Sequence, residues 1–503
     1  MARKSVARIK SAPRVLLRRR GLQPDPSRPG AKPARPEPER ASAPETRLSP
    51  AVPEPTARSV ALEVLERVER DAAFSDLALD AALDRSGMEE RDRALATQLV
   101  YGVLRWQGAL DYALGTVCHE PLERTAPEVR RLLRLGAYQL LFLDRVPAAA
   151  AVNEAVKLAR RAHPVWVVSF VNAVLRRVAR HGHSLLVPAP DLDPTARLTI
   201  EGSHPAWLVR RWVEEWGIDE TRALCLANNA IPPITIRCNR LRVTREDLRA
   251  ALAGEGVTAS PTTFSPEGLI VTGGPPPMRT TAFQKGWLHV QDEASQLVAY
   301  LVDPQPGEQV LDVCAAPGGK TTHMAQLMAD QGSLVALDSH PGRLQALEET
   351  CRRLGVTNVQ TVKQDATEPF ALPAGAGFDR ALVDPPCSGL GVLRRNPEAK
   401  WRLTPEVPGE LQPLQEAILE QAAGWVRRGG LLVYSTCTLA REENEEVIAH
   451  FLARHPEYRV EDFRKTRLPS FHLLLDAAGR FRTFPHRHGM DGFFAVGLRR
   501  QRS

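Results

Sequence analysis

From about Gly307 onward the chain alternates continuously apolar runs with helical stretches: QVLDV (309–313), a helix from Lys320, LVALD (334–338), a helix from Pro341, VQTVKQD (359–365), RALVD (380–384), a helix ending near Val426, and LLVYST (431–436). A strand that is apolar at every position, rather than at every second one, must be covered on both faces. With helices between such strands, the pattern predicts a parallel sheet sandwiched by helices. Ligands of such sheets bind outside the carboxyl ends of the strands. The residues that stand there therefore decide the chemistry.

The first run leads into DVCAAPGGKTT (312–322). Gly318 and Gly319 permit close backbone approach to a ligand, and the helix that follows points free N–H groups at the same place. A phosphate-binding loop of the Walker type needs a glycine where this chain has Cys314, so a nucleoside triphosphate is disfavoured. Carboxylates close the next three runs: Asp338, Asp365 and Asp384. An acid ending the second strand is placed for ribose hydroxyls, and Asp365 for an exocyclic adenine amine. Each also reads as a cap on the turn that follows, but three at successive strand ends beside a Gly-rich loop point to a nucleoside cofactor without a triphosphate. S-adenosylmethionine meets that description.

Two of the seven cysteines, Cys387 and Cys437, fall on strand-end loops at the same edge of the sheet, 50 positions apart in sequence. The seven are odd in number and none form C-x-x-C, which argues against a disulfide framework or a structural zinc site. Strand-end loops are where partial exposure and helix dipoles activate a thiol. The reaction that needs one is methylation of a pyrimidine at carbon 5. That carbon is too weak a nucleophile until a thiolate adds to C6, and a second acid/base group assists release of the product.

The rest of the chain divides by composition. Residues 1–55 hold 11 prolines, and residues 1–54 carry 13 Lys/Arg against 5 Asp/Glu, so this segment accounts for the whole net charge of +7. It reads as a disordered tail, either a loose electrostatic arm for RNA or an extension without a specific role. Residues 56–185 show helical spacing throughout, with Arg105, Arg176 and Arg177 either on a solvated face or at an RNA contact. Residues 186–300 read as a linker, a Trp-rich helix (SHPAWLVRRWVEEWG) whose tryptophans serve packing, and a small α+β module; residues 301–503 are the α/β domain. No run is long enough to span a membrane and no signal peptide is evident, so a cytoplasmic protein is expected. The histidines of FPHRHG (484–489) lack cysteine partners, and no metal is expected.

Three phrases then carry a resemblance: LDVCAAPGGKTTH, DPPCSGLGVLRRNPEAKW (384–401) and YSTCTLAREENEEVI (434–448) resemble the signature motifs of the RNA cytosine-5 methyltransferase family. RDRALATQLVYGVLRWQGALD (91–111), VPAAAAVNEAVKLAR (146–160) and FVNAVLRRVAR (170–180) resemble NusB-like RNA-binding domains. The combination is that of the family's RsmB-type branch, and the resemblance covers about residues 56–499. It implies an all-α NusB-like domain, a small α+β module and a Rossmann-like methyltransferase domain that uses S-adenosylmethionine and no metal. The implied substrate is 16S ribosomal RNA, free or partly assembled, with no obligate protein partner. It further implies that Cys314, Ala315, Ala316, Pro317, Gly318, Gly319 and Lys320 form the cofactor loop, completed by Asp338, Asp365 and Asp384. Cys437 would be the nucleophile, Cys387 would help release the product, and Asp384 would also hydrogen-bond the target base. A transfer-RNA methyltransferase of the same chemistry and a non-catalytic RNA-binding assembly factor remain the competing readings. The chain departs from the family in having Pro385 where alanine is usual, which bears on loop shape; the resulting Asp-Pro-Pro resembles amino-methyltransferases, but Cys387 stands where their stacking aromatic residue would.

Overall fold

The computed structural model describes residues 55–369, 377–465 and 469–502; the basic tail lies outside them. Helices Ala57–Arg70, Ser75–Ser86, Glu90–Val117, Pro127–Phe142, Ala148–Ala162 and Val165–His181 form the first part. Their apolar residues recur every three or four positions and meet in one core that includes Val64, Leu99, Leu132 and Val171, each at most 1% exposed. The first helix starts on a reciprocal cap between Thr56 and Ser59. Gly102 is required where the third helix meets the fourth, since a Cβ there would lie 2.0 Å from the Tyr138 ring.

The Trp-rich stretch forms helix Ala206–Trp216. Trp212 is fully buried, and with Trp207 and Trp216 it packs against Leu390, Leu393 and Leu439, which flank the two cysteine loops. These tryptophans are packing residues, as expected. Next comes a four-stranded antiparallel sheet of β1 (Ile234–Cys238), β2 (Thr258–Pro261), β3 (Gly268–Gly273) and β4 (Leu288–Val290), in the order β2-β3-β1-β4. Helix Arg245–Gly254 packs against it, and Thr244 caps that helix by accepting from the Asp247 N–H.

The strands expected from the apolar runs are β5 (Gln309–Val313), β6 (Ser333–Asp338), β7 (Val359–Lys363), β8 (Phe378–Val383) and β9 (Val426–Thr436). They pair in parallel in the order β9-β8-β5-β6-β7. The sheet is mixed rather than purely parallel, because β12 (Phe494–Arg500) inserts antiparallel between β9 and β10 (Tyr458–Glu461), with the short β11 (Phe481–Arg482) beside it. Covering β9 on its far edge leaves its ladder fully paired, and β9, which ends at the Cys437 loop, becomes an interior strand.

The segment after Cys387 ties these parts together. Lys400, 1% exposed, donates to the carbonyls of Arg105 and Ser203 and to Asn229 Oδ1, each at 2.8 Å. Trp401 Nε1 donates to the Leu104 carbonyl at 2.6 Å, and Arg402 donates to the carbonyls of Val68 (2.7 Å), Ala72 (3.1 Å) and Ala73. Glu398 accepts from both N–H and Oγ of Ser75. Arg105 is not on a solvated face: it is buried and donates to the Arg394 carbonyl at 3.2 Å. Arg177 donates to the Val117 carbonyl and Arg176 to Asn172 Oδ1. No helix among the described residues is long and apolar enough to cross a membrane.

Replacing Lys400 by methionine keeps the stem's packing and takes the Lys400 donor away from three oxygen acceptors. At about 1 kcal/mol or more for each orphaned group, Lys400→Met is expected to lose about 3 kcal/mol of unfolding free energy, measured by urea denaturation. A loss below about 0.5 kcal/mol would show that this junction does not carry the docking.

Candidate active site

β5 ends at Val313, and the chain turns at once through Cys314, which takes a left-handed conformation (φ 65°), to the loop Ala315–Gly318. The Ala315 N–H donates to the Leu337 carbonyl at 2.8 Å and the Gly318 N–H to the Ala315 carbonyl at 2.9 Å, which holds the loop tightly at the strand ends. Gly318 is needed here: its φ is 101°, and a Cβ would lie 2.9 Å from Leu347 Cγ. Helix Gly319–Leu327 begins immediately after it.

Lys320 Nζ reaches back to Asp384 Oδ2 at 2.7 Å, while Ser435 Oγ donates to Asp384 Oδ1 at 3.0 Å. Burial works against the charged Lys320 amine, but the Asp384 carboxylate, through charge and hydrogen bond, outweighs it, aided by Cys437 and Asp312, and the amine is held above its ordinary range. Asp312, fully enclosed at the end of β5, accepts from Thr321 Oγ1 at 2.6 Å. Burial pushes its carboxyl up to about 7 against that hydrogen bond, and the negative charge of Asp384 adds to the effect. Burial likewise pushes the Cys314 thiol up, which makes it a neutral wall and no nucleophile.

These groups line a cleft of about 250 Å³ formed by Asp312, Cys314, Ala315, Ala316, Pro317, Gly319, Lys320 and Asp384 on one side. Its other side is the end of β4 and the turn after it: His289, Val290, Gln291, Asp292 and Ser295. The missing Cβ of Gly319 opens toward that wall, since an added carbon would stand 3.5 Å from Gln291 Nε2 and 3.6 Å from His289 Nε2. Arg237 of β1 passes beneath, donating to the Gly319 carbonyl at 2.6 Å, to Thr322 Oγ1 at 2.9 Å and to Gln291 Oε1. The small module thus forms a wall of the cleft, which the sequence reading did not anticipate. HVQDEAS reads locally as a strand followed by a helix cap, and Asp292 does cap its helix by accepting from the Ala294 N–H. Nothing local reveals the cleft on its far side.

Asp338 and Asp365 are not among the residues lining this cleft. Asp338 is buried, accepts from the His340 N–H at 2.9 Å and lies 3.8 Å from Arg343. Asp365 is exposed, and its Oδ1 accepts from the backbone and hydroxyl of Thr367 at 3.0 and 2.7 Å, which lowers its ionisation range. In this structure it acts as a turn cap.

Cys387 and Cys437 do converge: their sulfurs are 3.4 Å apart. The Cys387 thiol is pushed well up by its hydrogen bond with Cys437, by burial, and by the negative charge of Cys437, Glu443 and Asp384. Pro385 is buried and Pro386 exposed, and the Asp-Pro-Pro turn delivers Cys387 to its partner despite the doubled proline. Just beyond, Arg394 and Arg395 bridge Asp292 and Asp491: Nε to Asp491 at 2.6 Å from each, and a terminal nitrogen to Asp292 at 3.3 and 2.6 Å. The cysteine loop and the cleft wall are thereby joined through paired charges. His486 bonds Glu220 and His488 bonds the Phe484 N–H, so both have protein partners.

Known proteins share this arrangement. Residues 299–499 match the family described as 16S rRNA methyltransferase RsmB/F, residues 55–180 the NusB family, and residues 204–276 the ferredoxin-like domain of the RsmF/B-like methyltransferases. A probable ribosomal RNA small subunit methyltransferase B of Synechocystis is 40% identical over 88% of this chain and 99% of its own. This chain belongs to the ribosomal RNA small subunit methyltransferase B family. The solved structure of PH0851 is 29% identical to this family member, with a TM-score of 0.75, covering 88% of this chain and 98% of that one. NSun6 from Pyrococcus horikoshii, solved with the S-adenosylmethionine analogue SFG, is 25% identical with a TM-score of 0.51 over 58% of this chain and 97% of its own. The family's methyl donor is S-adenosylmethionine. The cleft fits it: Lys320, the one Lys or Arg side chain among the lining residues, is paired with Asp384 and so is no free cation for phosphates, and Asp312 adds a further carboxyl to the lining.

The buried Asp312 gives a pH test. Unfolded, it ionises near 3.8; folded, near 7. The folded state therefore holds a proton that the unfolded chain has lost, and stability from this group falls as pH rises from about 4 through 7. Relative to Asp312→Asn, the wild type is expected to lose stability between pH 5 and pH 8, read as diverging urea midpoints; a constant difference would refute it.

Proposed function

We propose that this chain methylates cytosine at carbon 5 in 16S ribosomal RNA, through a covalent bond between Cys437 and C6, with release assisted by Cys387. The observation that carries this reading is the pair of thiols 3.4 Å apart, at the ends of adjacent strands β8 and β9, beside the Lys320–Asp384 pair. When bound, S-adenosylmethionine would supply an electrophilic methyl group; the loop Cys314–Lys320 and Asp384 would hold it in the cleft, and Asp338 and Asp365, outside that lining, would complete its site at the neighbouring strand ends as the family resemblance implies. Cys437 gives up its proton and adds to C6, which turns C5 into an enamine-like carbon able to take the methyl group. Loss of the C5 proton then re-forms the C5–C6 double bond and expels the Cys437 sulfur. At this second stage the Cys387 thiol gives its proton to the departing Cys437 sulfur and takes the C5 proton in its place. Its raised ionisation range keeps it a thiol at neutral pH, a poor attacking group and a proton donor to the leaving sulfur. Asp384, held by Lys320 and Ser435 and lining the cleft, would accept from the cytosine amine.

Because C6 is inaccessible in a stacked helix, the target cytosine must be unpaired or flipped out. This favours RNA that is free or partly assembled over the finished subunit. Equal activity on naked RNA and intact subunits would remove that part of the proposal.

Cys437→Ala is expected to bring methylation below detection and to leave no covalent adduct. Cys387→Ala should trap a protein–RNA adduct that survives denaturing electrophoresis. The reverse pattern would exchange the two roles. Mapping 5-methylcytosine in rRNA and tRNA from cells with and without the protein identifies the substrate.

A further inference from the structure

The thiol pair is held by a residue with no role in the chemistry above. Glu443 is fully buried, and its carboxylate is surrounded by four donors that all belong to the two cysteine loops or the helix behind them. Oε1 accepts from the Ser388 N–H at 2.7 Å and from Gln415 Nε2 at 2.9 Å; Oε2 accepts from Thr438 Oγ1 at 3.0 Å and from Ser388 Oγ. Ser388 follows Cys387 and Thr438 follows Cys437, and their hydroxyls lie 2.7 Å apart. Gln415 also donates to the Pro386 carbonyl at 3.0 Å, which fixes the residue before Cys387. Asn444 completes the arrangement by accepting from Thr436 Oγ1 at 2.6 Å and donating to the Thr438 carbonyl at 3.0 Å, so it brackets Cys437 on both sides.

We propose that Glu443 is a positioning residue that fixes Cys387 against Cys437, and that the step depending on it is release of the methylated base. This rests on the assignment of release to Cys387 above. The two loops leave adjacent strands, and beyond Val383 and Tyr434 the Gly391 N–H donates to the Cys437 carbonyl at 2.9 Å; the approach of the Cys387 turn itself is set by side chains. A buried carboxylate is suited to the task because it accepts on both oxygens from donors that converge from two directions. Attack on C6 needs Cys437 alone, which Asn444 holds independently. Transfer of the C5 proton needs the second thiol within reach of the same base.

What is used is geometry rather than charge. Glu443→Gln can keep Oε1 toward the Ser388 and Gln415 N–H groups and point its amide nitrogen at the hydroxyls of Ser388 and Thr438, which rotate to accept. Glu443→Ala removes all four bonds to the carboxylate and leaves only the direct Ser388–Thr438 hydroxyl contact between those two residues. In steady-state methylation of rRNA, Glu443→Gln is expected to stay within about threefold of wild type. Glu443→Ala should fall on the order of tenfold or more while accumulating the denaturation-resistant RNA adduct, with cofactor affinity unchanged. If Glu443→Ala misfolds, the double variant S388A/T438V removes the hydroxyl bridge, leaves the carboxylate its two amide donors, and should accumulate the adduct in the same way.

Cys387→Ala is run beside them. Adduct with Cys387→Ala but not with the Glu443→Ala or double variant overturns this inference alone. No adduct with Cys387→Ala overturns the release assignment and this inference with it. A Glu443→Gln enzyme as impaired as Glu443→Ala would show that the charge matters, and would equally overturn a positioning role.

Discussion

An ammonium group with almost no exposure, bonded to two carbonyls and one amide oxygen, is the junction on which the arrangement depends. Lys400 belongs to the chain that leaves the Cys387 loop, yet its acceptors sit in the third helix of the NusB-like region, in the turn before the Trp-rich helix and at the end of the helix after it, Ile218–Asn229. Burying such a group costs several kcal/mol unless every proton finds an acceptor, and here three are supplied. Trp401 and Arg402 extend the same contact. The helical region is thus fastened directly to the segment that follows Cys387, and is more than a tethered attachment.

Within the catalytic cleft, one cation is shared among several acids. Lys320 is paired with Asp384, and Asp312 stays largely protonated below neutral pH because it is walled off and has only Thr321 as donor. Balanced in this way, the cleft favours a positively charged cofactor without the cost of several fully ionised buried carboxylates. The Arg394–Arg395–Asp292–Asp491 cluster performs the corresponding neutralisation between cleft wall and cysteine loop.

Much of this was legible in the residues. Continuous apolar runs identified β5 to β9, and cysteines at two strand ends came together as expected, because strand order and side-chain direction follow from the α/β pattern. The antiparallel β12 was not read, since FAVGLRR near other short runs carries no signal of where it will pair. Asp365 reads both as a cofactor ligand and as a turn cap, and local pattern does not choose between them; in the structure its carboxylate accepts from Thr367. Glu443 is hidden for a related reason: in REENEE an acid reads as favourable dipole chemistry at a helix start, and two of its three partner residues lie 28 and 55 positions away. Local pattern identifies elements well, but a contact between loops far apart in sequence leaves no periodicity.

Most of the bonds that the 400–402 segment makes to the helical region end on backbone carbonyls: those of Arg105, Leu104, Val68, Ala72 and Ala73. A carbonyl oxygen is present whatever side chain its residue carries. The two sides of this contact are therefore unequal under mutation. The helical surface is free to drift in sequence so long as its helices keep their course, while Lys400, Trp401 and Arg402 have few substitutes. Descendants of such a protein could reshape the surface of the helical region extensively and still present it to the methyltransferase domain in the same orientation.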